Sequence, residues 1–202
     1  MRCGHFSAKS TGFDVVHKTS SRSTDETMAP RQIALSLYHR DRFSQGRMRR
    51  TFGYEAYHWA IIVMPEQSQG RDCWTFEATD ASEINPVTFR MNNSTMDWWL
   101  RDKPNVDPEL SSKLLGIVLL GQTPDGLSFP EMLGVMTGVP LPVKNMNPQQ
   151  SCVTWAENAI QALQSRGWIW GFDMNQFKDW AVGYADERMK KDSRQPKFIQ
   201  YR

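Results

Sequence analysis

Nowhere in the 202 residues does an apolar run approach the roughly 18 to 20 residues that a membrane-spanning helix needs. The first residues also lack the apolar core of a secretory signal, which predicts a soluble, cytoplasmic protein. Cysteine is scarce: Cys3, Cys73 and Cys152 are three in number and widely spaced, so no disulfide framework is implied and the thiols are expected to be reduced. Histidine is scarcer relative to what a metal site needs, with four in the chain. None of them forms a Cys/His cluster at ligand spacing, so neither metal nor cofactor is expected. A net charge of +2 gives no general reason to bind nucleic acid. Internal repeats and low-complexity core segments are absent as well.

What is present fits one domain with tails. The hydrophobic content of 40% is enough for a sizeable core. Residues 1–30 are dominated by Ser, Thr, Lys, Arg, Asp and Glu, with Phe13-Asp14-Val15-Val16 as the one apolar interruption, and read as a flexible arm. The domain spans 31–190 and a short tail covers 191–202. Strands are predicted at Gln32 to Tyr38, Ala56 to Met64, Cys73 to Thr79, Val87 to Met91 and Leu114 to Leu120. Arg40, Arg42, Arg47, Arg49 and Arg50 fall between the first two and read as a solvated loop, with contact to an acidic substrate or anionic surface left open. Helices follow. One starts at Pro130 after Ser128, one at Cys152, and one after Asp173 with Gln176 completing a capping box. Strands first and helices last is an α+β arrangement built on an antiparallel sheet. The eight tryptophans, Trp98-Trp99 and Trp155 among them, are read chiefly as core and corner packing.

Two segments carry chemistry. Trp155, Ala156, Ala159, Ile160 and Leu163 recur at helical spacing, Ser151 is a good N-cap by type, and Cys152 therefore falls on the first turn. That position favours a thiolate, because the helix N-terminus offers unpaired N–H groups and partial positive charge. His58 lies in Tyr57-His58-Trp59-Ala60-Ile61-Ile62-Val63, too apolar for a surface loop. Alternation sends His58, Ala60 and Ile62 to one face and Tyr57, Trp59, Ile61 and Val63 to the other. Taken alone, His58 is equally a buried imidazole satisfied by a carbonyl or water. On Cys73 to Thr79, Glu77 shares a face with Thr75 and Thr79. It is the candidate to hold His58 in one tautomer, with Thr75 as fallback and a solvated or arginine-paired carboxylate as the plain alternative.

A His-containing strand first and a Cys-led helix (Ser151-Cys152-Val153-Thr154-Trp155) later resembles the circularly permuted papain-like superfamily. That group includes the permuted NlpC/P60 peptidases, the lecithin retinol acyltransferase-like enzymes and the PPPDE peptidases. More narrowly, YHWAIIV, FEATD, PLPVKN and CVTWAENAIQALQ together resemble a family of small fungal proteins with no activity attached. The resemblance covers roughly 33–184. It implies a cysteine-dependent hydrolase or acyltransferase acting on a small-molecule, peptide or acyl substrate through an amide, ester or thioester. Cys152 would be the nucleophile, His58 the base and Glu77 the orienting residue, with Tyr57, Gln149 and Gln150 as candidate substrate contacts. Members often carry Asn before the cysteine; Ser151 stands there, so an orienting role for that Asn is not carried over. The competing expectation is a catalytically inactive binding protein on the same fold.

Overall fold

A computed structural model describes residues 29–202; the arm predicted over residues 1–30 falls almost wholly outside the described residues. Eight strands and four α-helices are formed by the described residues. The chain opens with β1 (Gln32–His39), a 3-10 turn over Asp41–Ser44 and α1 (Gly46–Phe52), then β2 (Tyr57–Met64) and β3 (Cys73–Thr79). A small hairpin of β4 (Glu83–Ile84) and β5 (Met91–Asn92) precedes β6 (Trp99–Val106) and β7 (Leu114–Gln122). Then come α2 (Phe129–Thr137), α3 (Cys152–Gln164), α4 (Met174–Arg188) and β8 (Phe198–Gln200). The main sheet runs β6-β3-β2-β1-β7-β8, antiparallel except for the parallel β7–β8 pair. The fold is thus α+β with a mostly antiparallel sheet, and no helix among the described residues is long and apolar enough to cross a membrane.

The three later helices cover one face of the sheet. Leu35, Leu37, Trp59, Ile61, Phe76 and Val118 meet Met132, Trp155, Ala156, Ile160, Phe177 and Ala181 in a single core. Each of these helices starts on a side-chain cap. The Ser128 N–H is accepted by Glu131 at 2.8 Å in a capping box, and Asp173 accepts the Gln176 N–H at 2.8 Å. Such caps satisfy donors that a helix start leaves unpaired. Neighbours come unusually close to the β7 backbone in two places. A Cβ on Gly116 would fall 1.9 Å from the Tyr184 hydroxyl, and one on Gly121 would fall 2.0 Å from the Trp168 carbonyl oxygen. Glycine is what lets α4 and the Trp168 turn rest on β7.

Four parts of the chain differ from the sequence-based expectation. The arginine-rich segment forms α1 rather than only a loop: arginine and methionine are good helix formers, and Arg49 is anchored by a two-pronged pair with Asp186 at 2.6 and 2.8 Å. The strand expected over Val87 to Met91 is largely the loop of the β4–β5 hairpin and becomes strand only at Met91, because Asn85 Oδ1 accepts both the Val87 and Thr88 N–H groups at 2.9 Å beside Pro86. Trp99–Val106 is an edge strand, its Pro104 and charged side chains hiding it from a search for apolar runs. The tail after 190 supplies β8, paired with β7 through Ile117–Leu119.

Candidate active site

The face of the sheet away from the helices carries His58 and Ala60 on β2, Thr75, Glu77 and Thr79 on β3, and Arg101 and Lys103 on β6. All of these line a cleft of about 730 Å³. Cys152 lines it too, although α3 packs on the opposite side of the sheet.

The pairing register marks where the thiol lies. β1 and β2 pair along their whole length, from Gln32 with Met64 to His39 with Tyr57. β2 and β3 pair only over Ile61–Val63 and Trp74–Phe76. Beyond Ile61 no further β2–β3 pairs form, and α3 packs against both strands. The Trp59 backbone N–H is among the groups that favour the thiolate form of Cys152.

Ser151 sets the helix start. Its hydroxyl accepts the Val153 N–H at 3.2 Å, and its own N–H is accepted by the Thr154 hydroxyl at 3.2 Å. Cys152 therefore occupies the first helical position, where the backbone N–H has no partner within the helix. The side chain is 3% exposed.

His58 is held between two groups. Its Nε2 bonds Glu77 Oε2, leaving Nδ1 as the ring nitrogen that can face the Cys152 sulfur, which lines the same cleft and acts on the imidazole electrostatically. Glu77, diagonal to His58 across the two strands, is in turn held by Arg101, whose Nε donates to Oε1 at 2.8 Å. Arg101 also pairs with Glu83. Glu77 thus accepts from a histidine and an arginine at once. Tyr38, directly opposite His58 on β1, leans over the imidazole with ring centroids 6.3 Å apart.

The electrostatics follow from these contacts. Burial pushes the His58 pKa down, but the Cys152 sulfur and the Glu77 carboxylate outweigh it and raise it from 6.5 to about 10. Burial pushes the Cys152 thiol up; His58, the Trp59 N–H and, more weakly, Arg40 prevail and hold it below the ordinary thiol value. Glu77 is driven up by burial and pulled further down by His58 and Arg101, to about 2. The shifts all run in the direction that favours a thiolate beside an imidazolium and a carboxylate. Cys73, by contrast, is raised to about 11, chiefly by burial.

The remaining sequence candidates lie elsewhere. Tyr57 points into the helix-covered core, and its hydroxyl donates to Asp186 at 2.5 Å. Gln149 is exposed, and Gln150 accepts the Val143 N–H at 2.8 Å; none of the three lines the cleft. Thr75 lines it without a hydrogen bond to either member of the His58–Glu77 pair. Arg101 and Tyr38 were not singled out by the sequence. The period-two order Trp99, Arg101, Lys103 was the available signal for the first, and only the β1–β2 register identifies the second. Among the described residues no group of three or more His, Cys, Asp or Glu side chains converges as a cation site.

A family described only as being of unknown function, DUF6914, matches residues 31–198, and the chain belongs to it. No curated protein and no solved structure matches the chain.

Proposed function

With a family that lends no activity, we propose that this protein is a cysteine-dependent hydrolase or acyltransferase of permuted papain-like type, acting on an amide, ester or thioester. The observation that carries the reading is the continuous line Cys152, His58, Glu77, Arg101 along one wall of one cleft. The chain order, His strand before Cys helix, supports the permuted papain-like assignment. In the reaction, the Cys152 sulfur forms a bond to the carbonyl carbon, and the oxygen takes up negative charge beside the Cys152 N–H at the helix start. His58 then passes its Nδ1 proton to the departing nitrogen, oxygen or sulfur, and an acyl-enzyme remains. Water or a second nucleophile gives its proton back to His58 as it takes the acyl group, restoring thiolate and imidazolium. Glu77 keeps Nε2 protonated throughout, with Arg101 fixing the carboxylate. The partner is a small-molecule, peptide or acyl substrate. The cytoplasm is the compartment that suits two unpaired thiols, Cys73 and Cys152.

Incubation with a p-nitrophenyl ester or a phenyl thioester, followed by intact-mass and peptide mapping, tests this. An acyl adduct on Cys152 is expected, absent in Cys152→Ala and slowed about 10²–10⁴-fold in His58→Ala. Equal turnover of the ester by all three proteins, with no adduct, would overturn the proposal. One observation favours the second reading, a binding cleft without turnover: the slight exposure of the thiol. Saturable binding of such an ester without acylation would select it.

A further inference from the structure

The cleft has an uneven charge lining. Of its cations, Arg101 is engaged by Glu77 and Glu83, and Lys113 by Asp41 at 2.8 Å. Lys103 stands 3.7 Å from Glu83. Arg40 and Arg42 form no ion pair among the described residues, and Asp80 is the one lining carboxylate in the same position. Both guanidiniums lie over the Phe43 ring, at 5.4 and 5.2 Å from its centroid.

Arg40 is fixed before anything binds. Its backbone N–H is accepted by the Ser44 hydroxyl at 2.6 Å, that hydroxyl donates to the Ala56 carbonyl at 2.5 Å, and Arg40 Nη1 donates to the Glu55 carbonyl at 2.7 Å. These bonds tie the segment after β1 to the segment leading into His58. A guanidinium held in this way has little freedom left to lose on meeting an anion, and it keeps donors to spare. The same residue acts on the Cys152 thiol electrostatically, so the two share one field.

We infer that Arg40 and Arg42, at the rim of the cleft, select acyl substrates bearing an anionic group, a carboxylate or a phosphate. The inference rests on the proposed cysteine chemistry for its acyl group, while the anion site stands on the cleft lining alone. The anion sits against the guanidiniums and the acyl carbon reaches Cys152. A neutral analogue loses the charge-assisted bonds and enters less often.

Two reagents of nearly equal size test the selection. Alkylation of Cys152 by iodoacetate and by iodoacetamide is followed by peptide mapping, and the ratio of the two rates cancels the thiolate fraction that both share. Relative to the same cysteine in the urea-unfolded chain, the ratio should favour iodoacetate by about three- to tenfold, as expected for one or two nearby charges in a solvent-open cleft. Arg42→Gln and Arg40→Gln should each lower that preference, and the double variant should leave only the part that the His58 imidazolium supplies; a preference unchanged in the double variant overturns the assignment to these arginines. A ratio equal to that of the unfolded chain, with Cys152 still reactive, overturns the anion selection and leaves the thiol chemistry standing. Independently, Cys152→Ala protein is titrated with succinate and with inorganic phosphate, read by the fluorescence of Trp98, which lines the cleft, against a Trp98→Phe control. Saturation by succinate assigns a carboxylate-bearing donor; saturation by phosphate assigns a phosphate-bearing one. No saturable change with either, or the same change in the Arg40→Gln/Arg42→Gln double variant, overturns the inference whatever the thiol does.

Discussion

Replacing Glu77 by glutamine isolates what the carboxylate contributes, because the amide keeps the shape and an acceptor oxygen while removing the charge. Glu77 touches His58 through one oxygen and Arg101 through the other. At contact distance and an effective dielectric constant near 20, a charge pair is worth at most ~4 kcal/mol. His58 keeps 22% of its side-chain surface open to solvent, so about 2–3 kcal/mol is the reasonable share. That corresponds to a fall of roughly two pH units in the imidazole midpoint, from about 10 to ~8. A ring that holds its proton less firmly supports the thiolate less, so the Cys152 thiol rises toward its ordinary value. Long-range proton–nitrogen NMR of the four histidines, with His58→Ala for assignment, reads the first effect. Iodoacetamide alkylation of Cys152 at pH 6.5 reads the second and should slow about ten- to a hundredfold, while at pH 10 wild type and variant converge. An unmoved midpoint together with alkylation rates within about twofold would refute the reasoning, and with it the role of Glu77 as orienting residue.

Acid should expose the same carboxylate as a stability group. Its pKa is depressed from 4.5 to about 2, so its contribution is complete above pH 4.5 and is lost as pH falls toward 2. The full contribution is of order 3 kcal/mol, and the urea midpoint of Glu77→Gln should therefore change less than that of wild type across this window. Ser151→Ala removes the hydroxyl that accepts the Val153 N–H and should cost about 1 kcal/mol in chemical denaturation; an unchanged midpoint would mean that water replaces the cap without loss. Gly116→Ala forces a methyl group to within 1.9 Å of the Tyr184 hydroxyl, which itself donates to the Pro196 carbonyl at 2.7 Å. A loss of about 2 kcal/mol or more is expected, and a melting temperature within a degree of wild type would show that α4 yields freely. Cys73 should react with iodoacetamide far more slowly than Cys152 at neutral pH, since burial holds it near 11; equal rates would make Cys152 an ordinary thiol.

Periodicity and residue type were sufficient for elements whose information is local. The stripe of α3, its serine cap and the resulting first-turn place of Cys152 are all written within a dozen residues, and Asp173 and Ser128 mark the other helix starts in the same way. The apolar runs of β1, β2, β3 and β7 are equally legible, because strands central to a sheet must be hydrophobic on both faces or nearly so. Alternation grouped Glu77 with Thr75 and Thr79 on one face of β3, and the β2–β3 register shows that His58 shares that face. The edge strand β6 and the short β8 could not be read, since their stability comes from a neighbour's hydrogen bonds rather than from their own composition. Arg101 went unnoticed with β6.

Strict alternation places His58 on the face of the sheet opposite the core, and the amphipathic stripe places α3 on the core side. By those local rules the imidazole and the thiol are separated by the sheet itself. Both nevertheless line one cleft, close to where the β2–β3 pairing ends and where α3 packs against both strands. The sequence alone therefore determined the thiol, the ring, the carboxylate and the element that carries each. Their sharing of one cleft depends on the packing of α3 against two strands distant in the chain, which has no signature in either segment.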